Sequence, residues 1–196
     1  MSLVLDPTAQ DLLFREARTA QTFSDEPVTE EQVQAIYDLV KYGPTAFNQT
    51  PLRITLVRSA EARERLVPLM AEGNRAKTAT APLTAILAAD NEFHEELPRL
   101  FPAFPQAKDA FFSERPAREA SAGMNAALQA AYFIVGVRAA GLAAGPMTGF
   151  DFGGVQKEFL DGDHTPLMIV NIGKPGENAA FPRAPRLAYD EVVTTV

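Results

Sequence analysis

The spacing of apolar and polar positions divides the chain into short elements. Val33, Ile36, Tyr37 and Val40 recur at i, i+3, i+4 and i+7, one face of a helix. Thr29 with Gln32 forms a reciprocal capping pair that starts this helix, and Gly43-Pro44 stops it. An earlier helix over 7–18 would turn Leu12, Leu13 and Ala17 inward, and an extended turn follows over 17–28. The β-branched run 53–57 predicts a strand, 60–71 a helix with a charged face, and the apolar run 82–89 a buried strand. The Ala-rich segment 117–140 predicts a long helix closed by Gly141. Residues 143–150 predict a loop, 154–160 a short helix and 167–173 a third strand. A Pro-rich tail ends in a small helix.

Residues 90–116 break this pattern, with five of the 13 Phe and four of the 15 Pro mixed among charges. That mixture predicts broken helices on an excursion rather than core. Helices outnumber strands without a regular βαβ alternation, so the expected class is α+β. No repeat, low-complexity tract or linker divides the chain, and its 196 residues suit a single domain over 1–196.

Composition narrows the function classes. Hydrophobic residues make up 46% and charged residues 22%, as expected of a globular protein rather than a disordered one. A formal net charge of −7 repels phosphate backbones and disfavours nucleic acid as a partner. With no Cys, thiolate metal sites, iron–sulfur clusters and cysteine nucleophiles are excluded. The N-terminal stretch lacks a basic start and an apolar core of signal-peptide length, which makes a cytoplasmic location the expectation. Residues 120–137 carry no charge and approach the length of a membrane span. Ser121, Gly123, Asn125 and Gln129 interrupt that run, so it predicts a helix buried on most sides, in the core or against another subunit.

Familiar catalytic signatures are missing: no Gly-rich dinucleotide fingerprint, no P-loop and no nucleophile elbow. His94, in EFHEEL, reads as part of a solvated charged helix, and His164, in DGDHTP, as a surface turn, so no metal site is expected. What remains is a set of carboxamides, Lys and Arg among Gly/Pro loops. Such a set suits a phosphorylated, hydrogen-bonding, planar cofactor that carries the chemistry itself. The loop GPTAFNQTP, 43–51, is the most concentrated example.

That loop resembles the P-[ST]-x-x-N-x-x-P element of the nitroreductase superfamily of FMN-dependent oxidoreductases. ARTAQTF (17–23), GNRAK (73–77), GLAAGPMTGFD (141–151), NIGKP (171–175) and a late Arg pair resemble further family elements, in the family's order along nearly the whole chain. The spellings GPT.FN and GPM.GFD look most like the subgroup containing the malonic semialdehyde reductase of pyrimidine degradation. The resemblance implies an interlocked α+β homodimer with a mostly antiparallel central sheet flanked by helices, and two FMN at its interface. The 43–51 loop of one subunit would then face phosphate-binding elements of the other.

The same resemblance implies the site residues. Pro44 and Phe47 would wall the flavin, and Thr45 and Asn48 would hydrogen-bond it or its ribityl chain. Arg18, Arg183 and Arg186 would hold the phosphate, with Thr19 and Gln21 beside them. Lys77, with Asn74, would stabilise charge on reduced flavin. Backbone N–H groups around Pro146, Met147, Thr148 and Gly149 would approach N5, where Gly149 avoids a clash. The early turn departs from the family pattern, which has two Arg flanking a Ser: position 17 is Ala and position 21 is Gln. The implied reaction is ping-pong, with NADH or NADPH as donor and a small acceptor such as malonic semialdehyde. A nitroaromatic or quinone reductase, or a flavin-binding module without turnover, are the alternatives. The 90–116 excursion would roof the pocket.

Overall fold

The structure, a computed structural model, describes residues 3–196. Four strands form one antiparallel sheet: β1 (Leu52–Val57), β2 (Leu83–Asp90), β3 (Ala143–Met147) and β4 (His164–Gly173), in the order β1-β2-β4-β3. Registers run from Leu52↔Ala89 to Val57↔Thr84 and from Leu83↔Ile172 to Asp90↔His164, and Ala143 pairs with Gly173. Between Leu87 and Ala88 the register shifts and Leu167 is left without a partner, next to Pro166, which has no N–H to give the ladder. The fold class is α+β, as the sequence indicated.

Helices flank the sheet. They are α1 (Pro7–Gln10), α2 (Glu30–Val40), α3 (Ala60–Leu66), α4 (Glu72–Thr80), α5 (Leu97–Leu100), α6 (Ala107–Phe112), α7 (Arg115–Ala139), α8 (Phe152–Phe159) and α9 (Tyr189–Val192). The capping box of Thr29 and Gln32 is present, and Gly141 follows α7 at φ 71°. Three boundaries differ from the sequence reading. The 7–18 helix is α-helical only to Gln10 and widens into a π-helical turn over Asp11–Arg15. The 60–71 helix ends at Leu66, because Pro68 cannot donate to the carbonyl four residues back, and α4 starts afresh. Residues 143–147, read as loop, form β3. Gly145 and Pro146 are poor strand formers, but an edge strand tolerates them. Thr19 bridges to Ala144, covering part of that edge.

The pleat sorts β2 between two cores. Leu83, Ala85 and Leu87 pack with Ile36 of α2 and Ala130, Phe133 and Val137 of α7. Ile86 points the other way, to Leu66, Met70, Met147, Val155 and Ile169. Each such large side chain contributes roughly 1.5–3 kcal/mol on burial. A Cβ at Gly136 would meet Val40 at 2.3 Å, so glycine lets α2 and α7 touch there. Contrary to the sequence reading, the 90–116 excursion is not outside the core. Phe93, Leu97, Ala107 and Phe112 form a third cluster with Ala122 and Ala126 of α7 and with Phe47.

By length and composition α7 could cross a membrane. Its buried side is core, whereas Met124 (71% exposed), Leu128 (48%) and Tyr132 (45%) lie on its open side. Within this chain the helix is therefore not buried on most sides.

Candidate functional site

The loop 43–51 leaves α2 and runs along α7 before entering β1. Its polar backbone groups are met by side chains at a four-residue spacing on α7. Asn125 Oδ1 accepts from Ala46 N at 2.8 Å, and Asn125 Nδ2 donates to Ser121 O at 2.9 Å. Gln49 Nε2 donates to Ala46 O at 2.9 Å and to Ser121 Oγ at 3.0 Å, and Gln129 Oε1 accepts from Leu52 N at 2.9 Å. Gln49 is 1% exposed and Asn125 5%, so these bonds satisfy buried donors and acceptors. The polar interruptions of the Ala-rich run are thus anchors for the loop. Their signal was present in the spacing of 121, 125 and 129, but nothing in the sequence named their partner.

Phe47, Asn48 and Thr50 have φ of 53°, 50° and 38°, a left-handed backbone that costs non-glycine residues energy. Phe47 contacts the rings of Phe101, Phe111 and Phe112 at 5.3–5.7 Å. Asn48 Nδ2 donates to Leu100 O at 2.9 Å, which ties the loop to α5 and leaves its Oδ1 free of the bonds found here. Thr45 Oγ1 accepts from Thr50 N at 3.3 Å. Pro44 is exposed.

A second set of expected residues gathers elsewhere. Lys77 lies in the last turn of α4 and its Nζ donates to Gln21 Oε1 at 3.2 Å. Among the described residues no carboxylate pairs with it. Next to it, Thr78 is fully buried and accepts from Asn171 Nδ2 at 3.2 Å, while Thr84 Oγ1 donates to Asn171 Oδ1 at 2.8 Å. That chain of bonds fixes α4 on β2 and β4. Asn74 Nδ2 donates to Gly149 O at 2.9 Å. A Cβ at Gly149 would meet that same Nδ2 at 2.9 Å, so here the glycine makes room for Asn74. Met147 is buried under Thr78, Pro146 offers no N–H, and Thr148 joins β3 to Gly149.

Arg18, Thr19, Gln21, Arg183 and Arg186 line one cavity of about 310 Å³, together with Arg138. Arg18 donates to Arg15 O and Ala17 O at 3.0 and 3.1 Å and has Glu16 at 3.6 Å. Arg183 Nη2 donates to the carbonyls of Phe14, Arg15 and Ala17. Arg186 Nη1 donates to Ala184 O and Pro185 O. Among the described residues neither Arg183 nor Arg186 has a carboxylate partner. Sequence reasoning did not find Arg138, which arrives from the far end of α7. Burial, then the charge of Arg183, pushes its pKa below the usual arginine value.

The two sets do not meet in one chain: among the described residues no hydrogen bond joins Pro44–Asn48 to the Lys77 or Arg183 groups. The histidines correct their sequence readings. His94 is buried, not solvated, because Phe93 and Leu97 on either side belong to the third core. Glu92, His94 and Glu95 bring ligand atoms within 4.8 Å of one another, but Arg118 and Lys108 pair with the two carboxylates. His164 opens β4 rather than a surface turn, with Nε2 4.0 Å from Asp90.

The sequence profile of the Nitroreductase family matches residues 14–174. A Streptomyces coelicolor protein named for NADH dehydrogenase/NAD(P)H nitroreductase activity is 84% identical over 196 residues, all of both chains. A solved nitroreductase structure from Bacillus subtilis aligns with a TM-score of 0.86 at 23% identity, covering 94% of this chain and 97% of that one. One from Exiguobacterium sibiricum, solved in complex with FMN, aligns with a TM-score of 0.85 at 18% identity over 100% and 99%. At these identities the two structures speak for the fold.

Proposed function

The chain belongs to the nitroreductase family, and from that premise we propose that it is an FMN-dependent NAD(P)H oxidoreductase. The observation that carries the reading is the cavity where Arg18, Arg183 and Arg186 converge beside the Lys77–Gln21 pair. A group of guanidiniums short of carboxylates suits a phosphate, which accepts their forked donors. This donor set fits the phosphate end of FMN.

Arg18, Arg183 and Arg186 would hold the phosphate, with Thr19 and Gln21 beside it. Lys77 would place its charge where negative charge grows on reduction, and its position is set by Gln21 and by the buried Thr78–Asn171–Thr84 bonds. Asn74 orders the 147–149 segment, whose Thr148 and Gly149 N–H groups would face the cofactor. Pro44, Thr45, Phe47 and Asn48 would come from a second copy of the chain. Support for such a homodimer is the open apolar side of α7 and the exposed Phe181, Leu187, Tyr189 and Val192 of the tail. Held by these residues, FMN would supply the redox chemistry between NADH or NADPH and an acceptor, in ping-pong order.

For the acceptor we propose a small aldehyde acid such as malonic semialdehyde, on the loop spellings at 43–51 and 141–151. Phe47, Phe101, Phe104 and Phe111 favour a second reading, a planar nitroaromatic or quinone, because their rings pack against one another and offer aromatic faces of the kind such acceptors stack on.

Purified protein should be yellow and should bleach on NADH or NADPH without oxygen. Yellow protein that does not bleach would reduce the reading to a flavin-binding module. Colourless protein that takes up no FMN would remove it. Turnover of malonic semialdehyde, a quinone and a nitroaromatic by the reduced protein then separates the acceptors.

A further inference from the structure

Arg138 is the one guanidinium near the cavity that neither the loop motifs nor the tail explains. It stands in the last turn of α7, and its Nη1 donates to Leu13 O at 3.2 Å. Its Nε is buried without a hydrogen-bond partner. Among the described residues no carboxylate pairs with it. Two carboxylates, Asp11 and Glu16, share an adjoining cavity of about 320 Å³ with it. Asp11 is occupied by Arg15 at 2.6 Å, and Glu16 lies 3.6 Å from Arg18. A half-buried cation without a counterion is costly, and a second cation facing it adds repulsion. The C-terminal end of α7 and the Leu13 carbonyl offset part of this through their dipoles, but neither neutralises a full charge. An anion placed between Arg138 and Arg183 would turn both penalties into attractions.

We propose that Arg138 is a fourth cationic ligand for a phosphate monoester in the cavity of Arg18, Arg183 and Arg186. It reaches the site from the end of the long core helix rather than from the N-terminal turn or the tail. The proposal rests on the FMN reading for the identity of the ester, and on the cavity alone for the phosphate. It follows that the end of α7, the N-terminal segment at Leu13 and the tail at Arg183 are drawn together when the phosphate is bound.

The test compares parent, Arg138→Gln and Arg138→Lys apoprotein, titrated with FMN and with riboflavin by flavin fluorescence. Thermal unfolding with and without inorganic phosphate is run alongside. Arg138→Gln should weaken FMN about tenfold or more, the scale of one charge-assisted hydrogen bond, while riboflavin binds as it does to the parent. Arg138→Lys, which keeps the charge and loses the fork, should fall between. Inorganic phosphate should raise the unfolding temperature of the parent more than that of either variant. FMN and riboflavin weakened alike would mean a packing role and overturn the proposal, as would FMN affinity unchanged. A parent that binds no FMN would sink the functional reading instead. The phosphate arm then decides alone: equal stabilisation of parent and Arg138→Lys, or none of either, overturns the proposal. Should Arg138→Gln not fold, Arg138→Lys carries both arms with the same outcomes.

Discussion

Asn125, 5% exposed, uses its carboxamide on Ala46 N and Ser121 O and leaves neither end unmet. Arg183, exposed in the tail, donates to three backbone carbonyls and keeps its charge without a carboxylate. The first, on α7, anchors a loop whose buried polar groups are satisfied by neutral bonds inside the chain. The second belongs to a cavity where the tail arginines bond only to backbone carbonyls and their charge is not met. Each region draws its order from a different source. The 43–51 loop is set on folding and can hold its left-handed residues because buried bonds over-determine them. The arginine cavity has its donors in place and an electrostatic deficit that an anion would fill.

Removing both tail guanidiniums gives the largest expected effect. Arg183→Gln with Arg186→Gln should weaken FMN by about 3–4 kcal/mol, two charge-assisted bonds' worth, while shifting unfolding by less than about 1 kcal/mol. An equilibrium titration and a urea melt read the two quantities. A melt that moves as far as the titration would erase the contrast between the regions. Asn125→Ala should do the reverse, leaving Ala46 N–H buried and unmet at about 2–3 kcal/mol of stability. Unchanged chemical denaturation would mean that the loop is ordered by something other than α7.

Lys77→Ala removes a charge that, among the described residues, no carboxylate pairs with and that the fold scarcely uses. Stopped-flow reduction by NAD(P)H should slow about tenfold, or about 1.4 kcal/mol, with a smaller change in FMN affinity. Reduction at the parent rate would take Lys77 out of the site. The smallest effect belongs to a charge that is fully paired. Arg115 first, then Asn91, hold the Asp163 carboxyl below the usual aspartate range. Its contribution is therefore present above the ordinary aspartate pKa of about 3.9, and is lost as pH falls through the lower folded value. Asp163→Asn should lower the neutral plateau of a stability–pH curve slightly and flatten its acid end, so that the two proteins converge in acid. An acid limb with the parent slope would assign acid unfolding to other carboxylates.

Local chemistry was the legible part of the sequence. The capping box at Thr29, the stop at Gly141 and the runs that became β1 and β2 depend on neighbours a few residues away. Tyr37 shows the limit of periodicity: it shares a face with Ile36 on paper, yet is 51% exposed, because α7 covers only the Ile36 side. β3 was illegible because its strand character comes from pairing with β4, not from Gly145 and Pro146. Gln49 was grouped with the cofactor loop by composition. Its partner Ser121 lies 72 residues away, and no local pattern could connect them. Arg138 was hidden for the same reason: its cavity is assembled from the chain's two ends and the end of α7. The close approach of Asn74 to Gly149 was likewise not readable, since 75 residues separate them.

The sheet's two rims are unequal. Along β3, Pro146 withholds a donor and Thr19 already occupies part of the border, whereas among the described residues no strand pairs with the outer side of β1. The border beside residues 52–57 is the more open one for an extended peptide, so lengthening of the sheet is favoured on one side over the other. The asymmetry works against open-ended stacking into fibres.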